Sequence, residues 1–367
     1  MKYPKTNYSN VFCDLFNLKT ESDFSSHINS RQNIPVFLSN PTLSALLKIY
    51  AKPSSLPSNI VLGSEDIDMG NCKISGCILN SVIEEVKANS NYLKELKRKI
   101  LSPMAGPYFS QLNELIVGSY LKSLGYKIKF NSSREIGKPD IEVISPQQFA
   151  IDVKMFPNDL FWFEDTVSKV TFPVFECLNT VKNVSILGFI SKNSIKAKKE
   201  IVSCLKLFLK TGKPQQSETS SVLLNSMYVG NQGVLIFNSK TNSSFRIIPS
   251  IPMTEKRLDD LMQKAIKQQA SASKEGITWV FFPNEEDASL GRRIMWEVSE
   301  IPKKMVELNN GLVLYELKVV KGNIPSQWNI KSGVDCLVDN SKYPKINKGS
   351  FDKFISKIVN TPTIFLP

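Results

Sequence analysis

Gly137-Lys138-Pro139-Asp140-Ile141-Glu142-Val143-Ile144, followed by Ser145-Pro146-Gln147-Gln148 and then Phe149-Ala150-Ile151-Asp152-Val153-Lys154-Met155, is the stretch on which the reading of this chain turns. Two short β-rich runs flank a tetrapeptide of turn residues, which predicts a hairpin. Side chains alternate between the faces of a strand, so Asp140 and Glu142 share one face, as do Ala150, Asp152 and Lys154 on the partner strand. Ile141, Val143, Ile151, Val153 and Met155 then point the other way, into a core.

The polar face carries a recognisable chemistry. Aspartates on neighbouring strands supply the hard oxygen ligands that a divalent cation needs, without histidine or cysteine. The Lys154 ammonium lies ~6.6 Å further along the face than Asp152, where it can orient a water or neutralise a phosphate oxygen. The arrangement points to metal-dependent phosphodiester chemistry. Upstream, the run from Ser110 to Leu124 is apolar around most of a helix, follows Pro107, offers Ser110 as N-cap and stops at Gly125. Glu114 is its one acid and stacks with Val117, Gly118 and Leu121, where a carboxylate without a cation would be costly. Tyr126-Lys127-Ile128-Lys129-Phe130 alternates as a first strand should.

Pro139-Asp140, eleven residues, then Asp152-Val153-Lys154, preceded by a helix bearing Glu114, resembles the signature of the PD-(D/E)xK, or restriction-endonuclease-like, phosphodiesterase superfamily. The resemblance implies a mixed α/β core of αβββ type, with a central mixed sheet flanked by helices. It implies Mg²⁺, or Mn²⁺ in its place, held by Asp140, Asp152, the Val153 carbonyl and Glu114, with Lys154 catalytic. Products with 5′-phosphate and 3′-hydroxyl ends would follow. Glu142 is a secondary candidate on the Asp140 face. Relatives of that kind also draw a helix and strand from downstream. The pair from Thr254 to Ala270 and Gly276 to Pro283 would fill this role with Lys264 or Gln268 as secondary site residues, making residues 160–250 a basic insertion. Elements between Glu164 and Ile190 compete for it. The competing readings are a solvated polar face for the hairpin and a simple ion pair for Glu114.

The rest of the chain narrows the classes. At 367 residues, 42% hydrophobic, it can bury two or three cores. The expected division is 1–102, mostly helical; 103–285, the nuclease core; and 286–367, a C-terminal region. No apolar run is long enough to span a bilayer and the N-terminus lacks a signal-peptide pattern, so a soluble cytoplasmic protein is expected. Six scattered cysteines form no disulfide framework, and Cys72 and Cys77 read as small buried residues. A single histidine, His27, argues against multi-imidazole metal hydrolases and histidine-based nucleases. No nucleotide-cradling Gly-x-x-x-x-Gly-Lys-[Ser/Thr] loop is present, so any NTPase would be a separate partner.

Net charge is +12. From Lys182 to Lys274 there are 15 Lys and Arg against 5 Asp and Glu, a net of +10. A polyanionic partner is expected, DNA ahead of RNA, with a homodimer compatible with cutting two strands. Leu79 to Ile100 reads as one long charged helix ending in a lysine-rich turn. Lys196 to Lys210 reads as an amphipathic basic helix, and Gly212 to Ser221 as a polar loop. The aromatic run from Phe156 to Phe163 is open to core or base-stacking roles, and Asn347 to Ile358 reads as a terminal helix. The expected function is a metal-dependent endonuclease of restriction, defence or repair type. Its rival is a binding or assembly subunit on the same fold, without cleavage of its own.

Overall fold

The computed structural model describes residues 7–18, 36–37, 40–50, 60–61, 65–102, 105–133, 135, 137–155, 159–191, 195–224, 234–238, 240–249, 263–264, 267, 276–281, 310–321, 328–335 and 363–366. It is a mixed α/β protein that divides into two compact units. The first comprises Met1–Asn29, Phe37–Phe156 and Thr254–Pro367; the second comprises Ser30–Val36 and Pro157–Met253.

Helices α1 (Asn7–Phe16), α2 (Pro41–Tyr50), α3 (Glu65–Ser81), α4 (Ile83–Lys87), α5 (Ser90–Ile100) and α6 (Ala105–Ser123) precede the main sheet, as do the two-residue strands β1 (Val36–Phe37) and β2 (Ile60–Val61). The single helix expected over Leu79 to Ile100 is instead broken twice. Ser81 turns its hydroxyl onto the Ile78 carbonyl at 2.6 Å and onto Ser119 at 2.7 Å. Asn89 leaves the helical region and caps α5 by accepting from the amides of Asn91 and Tyr92. Helix α6 starts at Ala105, five residues before the expected Ser110 cap. Pro107 sits in its first turn, where the missing N–H has no intrahelical partner to lose. Its end is as expected: Gly125 takes φ +84, and the Tyr126 amide returns to the Leu121 carbonyl at 3.1 Å.

The hairpin is present. Strands β3 (Lys127–Phe130), β4 (Ile141–Ser145) and β5 (Phe149–Met155) run antiparallel in sequence order. They close a seven-stranded mixed sheet with β11 (Gly276–Phe281), β12 (Asn310–Lys321), β13 (Trp328–Asp335) and β14 (Thr363–Leu366), in the order β14-β13-β12-β11-β5-β4-β3. The β5–β11 and β11–β12 pairs are parallel. The strand laid beside β5 is therefore the one after residue 275, and the strand near residue 190 belongs elsewhere. Of the expected helix from Thr254 to Ala270 only residues 263, 264 and 267 are described, all helical, and the terminal helix at Asn347 to Ile358 lies outside the described residues.

One core unites the first unit, from Phe12 in α1 through Tyr92 and Leu96 in α5 to Ile151 and Trp279 in the sheet. Gly118 lets α6 settle on β3: a Cβ there would meet the Phe130 ring at 2.3 Å. Tyr120 packs edge-on against Trp279 at 5.9 Å. Cys72 and Cys77 are buried thiols outside any disulfide, as expected.

The second unit carries helices α7 (Asp159–Leu178) and α8 (Ile195–Thr211) and a five-stranded mixed sheet. Its strands are β6 (Ser185–Ile190), β7 (Gln215–Gln216), β8 (Ser220–Leu224), β9 (Val234–Asn238) and β10 (Ser243–Pro249), ordered β7-β8-β6-β10-β9, with β6 and β10 parallel. The polar loop expected from Gly212 to Ser221 thus contains β7 and the start of β8. Val170, Val174 and Leu178 of α7 and Ile201, Leu205 and Phe208 of α8 pack on Ile186, Val222, Phe245 and Ile247. Among the described residues no helix is long and apolar enough to cross a membrane.

Candidate active site

Register places the two aspartates together. Ile141 pairs with Ile151 and Glu142 with Ala150; continued by one residue, the same antiparallel register sets Asp140 opposite Asp152. On the other side of β5, Thr278 stands beside Asp152 and Val280 beside Lys154. Strand β5 is thus buried between two neighbours, and Asp152 and Thr278 have no solvent exposure.

The Lys154 ammonium lies 3.4 Å from Asp140 Oδ2 and 3.7 Å from Asp152 Oδ1. The Val153 amide donates to the same Asp140 oxygen at 2.8 Å. Burial of Lys154 works against its charge, but Asp140, Asp152 and Glu114 together hold its pKa above the ordinary lysine value. One ammonium thus bridges two carboxylates, with a third close enough to stabilise it.

That third carboxylate is Glu114, 6% exposed. Gln111 Nε2 donates to its Oε2 at 2.7 Å, the Tyr92 hydroxyl donates to the same oxygen at 3.2 Å, and the Lys99 ammonium is 3.8 Å from Oε1. Burial, and next the charge of Asp140, push the Glu114 pKa up to about 8 against the pull of Lys99. The Lys99 pKa is itself raised: burial lowers it, but Glu114, Glu95 and Asp140 outweigh that.

Helix α5 supplies the rest. Glu95, 5% exposed, pairs with Lys99 at 2.8 Å and accepts from the Ser132 hydroxyl at 2.7 Å, the Ser133 amide at 2.8 Å and the Ser133 hydroxyl at 2.5 Å. Burial would raise its pKa, but hydrogen bonds from Lys99, Ser133 and Ser132 bring it down to about 2. Asn89 donates to the Phe130 carbonyl and to Glu135, both at 3.0 Å. Asn131 closes the loop from inside: its amide donates to the Asp140 carbonyl and its side chain to the Pro139 carbonyl, both at 3.0 Å. The loop that delivers Asp140 is therefore clamped to α5, and Tyr92 stacks on Phe130 at 4.7 Å between centroids.

Glu114, Asp140, Asp152 and Lys154 thus share one electrostatic neighbourhood. Val153 enters it through its amide. Glu142 does not join: it is held by Asn131 at 3.0 Å and faces Lys129 at 3.8 Å. Lys264 is exposed, and Gln268 lies outside the described residues. Tyr92, Glu95, Lys99 and Gln111 were not expected. The lysine-rich end of α5 reads as a solvated or a phosphate-contacting helix end, yet residues 92, 95, 96, 99 and 100 fall on one helical face, and that periodicity carries the missing signal. Among the described residues, no group of three or more histidine, cysteine, aspartate or glutamate side chains is gathered closely enough to hold a metal ion. No protein-family model, curated protein or solved structure matches the chain.

Proposed function

We propose that this chain is a metal-dependent nuclease, acting on DNA ahead of RNA, built on a restriction-endonuclease-like core. The observation that carries the reading is a single ammonium, Lys154, shared between facing carboxylates on adjacent strands, with Glu114 beside them. Burying so much charge is expensive and is retained where chemistry uses it.

The donor set fits a hard divalent cation: Asp140 and Asp152 would hold Mg²⁺ or Mn²⁺, with the Val153 carbonyl and Glu114 completing the set. When bound, the ion supplies Lewis-acid chemistry, lowering the pKa of a water and offsetting charge on the phosphate. Lys154 neutralises a non-bridging oxygen or positions the attacking water, its charge secured by its acidic neighbours. Glu114 has to give up its proton to join, and Lys99 stands ready to balance the resulting charge.

The test is incubation of the purified chain with plasmid, linear and single-stranded DNA and with RNA, with and without Mg²⁺ or Mn²⁺. Metal-dependent cutting that disappears in Asp152→Ala supports the reading. A second reading, a nucleic-acid-binding or assembly subunit that cuts only with a partner or not at all, is favoured by one specific observation. Lys154 and Lys99 already compensate the acids, and among the described residues no three-acid group stands assembled. Binding without cutting under every condition supports it.

A further inference from the structure

We infer that the exposed lysine face of α8, with the neighbouring Phe172 ring on α7, is a contact surface for nucleic acid, gripping single-stranded segments in preference to duplex. The inference rests on the nucleic-acid reading above and locates the grip in the second unit.

At 100° per residue, Lys196, Lys199, Ser203, Lys206, Leu207 and Lys210 fall within an arc of about 100° on α8. The opposite face, Ala197, Ile201, Leu205 and Phe208, is the buried one. Lys199, Lys206 and Lys210 are exposed, and no ion pair engages them among the described residues. Lys196 differs: it is paired with Glu200 and Glu218. From Lys199 to Lys210 the ridge rises about 16 Å, the length of about five nucleotide steps.

The described acids beside the ridge already have partners. Glu200 accepts from Thr219 and Ser217, and Glu218 is taken by Lys196. Glu176 lines a shallow groove of about 460 Å³ with Phe172, Pro173, Cys177, Lys206 and Leu209, and accepts from the Asn179 side chain at 3.5 Å. Phe172 is 43% exposed and lines this groove together with Lys206. Lysines spaced along a ridge can follow phosphates, and a ring beside them offers a stacking platform for an unpaired base. A duplex hides the faces of its bases, so only the lysines serve it.

Binding is read by fluorescence anisotropy of labelled single-stranded and duplex oligonucleotides in EDTA, so that cutting cannot contribute. The variants are Lys199→Glu/Lys206→Glu/Lys210→Glu, the same triple with glutamine, and Phe172→Ala. A charge-matched control, Lys87→Glu/Lys94→Glu/Lys127→Glu, changes the first unit alone. The α8 glutamate triple is expected to weaken both ligands at least about tenfold and to flatten the log K against log salt slope by about 2 to 3. The glutamine triple should flatten it similarly with a smaller loss. Phe172→Ala should cost about fivefold on single strands and leave duplex unchanged.

Unchanged binding in the α8 triples, or an equal loss in the control, overturns the inference while leaving the nuclease reading intact. An equal effect of Phe172→Ala on both ligands removes the single-strand preference. Failure of the wild-type chain to bind either ligand, or binding of anionic vesicles alone, overturns both this inference and the nucleic-acid reading. If binding follows expectation but no metal supports cutting, the grip stands and the nuclease reading falls.

Discussion

Lys154 and Lys206 carry the same group to opposite fates. In the first unit the ammonium is set on a central strand between two carboxylates; in the second it stands in water on the outside of a helix. Both units are mixed sheets with helices and at least one parallel pair. Among the described residues, the polar groups buried in the second are small and neutral, Thr219, Ser220, Asn238 and Ser243, whereas the first buries Glu95, Glu114 and Asp152. Taking an ion out of water costs several kcal/mol even after relaxation. The described core of the second unit forms without that cost, and this contrast supports the proposed chemistry in the first.

The strongest challenge to this contrast is Asp152→Asn, which keeps the volume and removes the charge. It should lower metal-dependent cleavage by at least about a thousandfold, or ~4 kcal/mol of barrier, and leave oligonucleotide binding in EDTA within a factor of about two.

Next comes Lys99→Met. Removing it leaves Glu95 and Glu114 without their shared cation, which should destabilise the first unit by about 3 kcal/mol. Lys206→Met in the second unit should stay within about 0.5 kcal/mol. Urea unfolding of the two variants measures the difference, and equal effects would erase the distinction between buried and surface charge.

A matched pair of glycines probes packing instead. A Cβ on Gly118 would come within 2.3 Å of Phe130, and one on Gly188 within 2.3 Å of Phe245, and both rings are fully buried. Alanine at either should cost about 1 to 3 kcal/mol. Only Gly118→Ala, on the helix bearing Glu114, should also lower cleavage.

The last comparison concerns pH. Because the folded Glu114 pKa is raised to about 8, the fold binds this proton more tightly than the unfolded chain does. The associated stability is complete below about pH 4.5 and is lost as pH rises through about 8. Glu114→Gln should therefore melt a few degrees above the parent at pH 9 and together with it at pH 5. Glu95 has the opposite sign: its pKa of about 2 makes it a source of stability above pH 4.5 that fades as pH falls towards 2.

Local chemistry made the hairpin legible. Turn residues at 145–148 and strict alternation on either side specify both the pairing and the face that Asp140, Asp152 and Lys154 share. The helix before it was legible in kind but not in its start, since Pro107 and Ser110 look like opening signals and are tolerated inside the first two turns. Two features were hidden. Which distant strand lies against β5 depends on a parallel pairing across more than a hundred residues, and no local pattern encodes that register. The α5 contribution was obscured because Glu95 and Lys99 sit in a run of charges that composition alone assigns to solvent or to a phosphate contact. Only their sharing a face with Tyr92, Leu96 and Ile100 marks them as interior.

Strand β3 ends the main sheet among the described residues, and the outer rim of an end strand would ordinarily invite another chain to add itself there. Lys127 and Lys129 interrupt that invitation, since a second copy docking antiparallel along this rim would bring its own lysines against them. Self-association through rim-to-rim growth is thereby discouraged at this end.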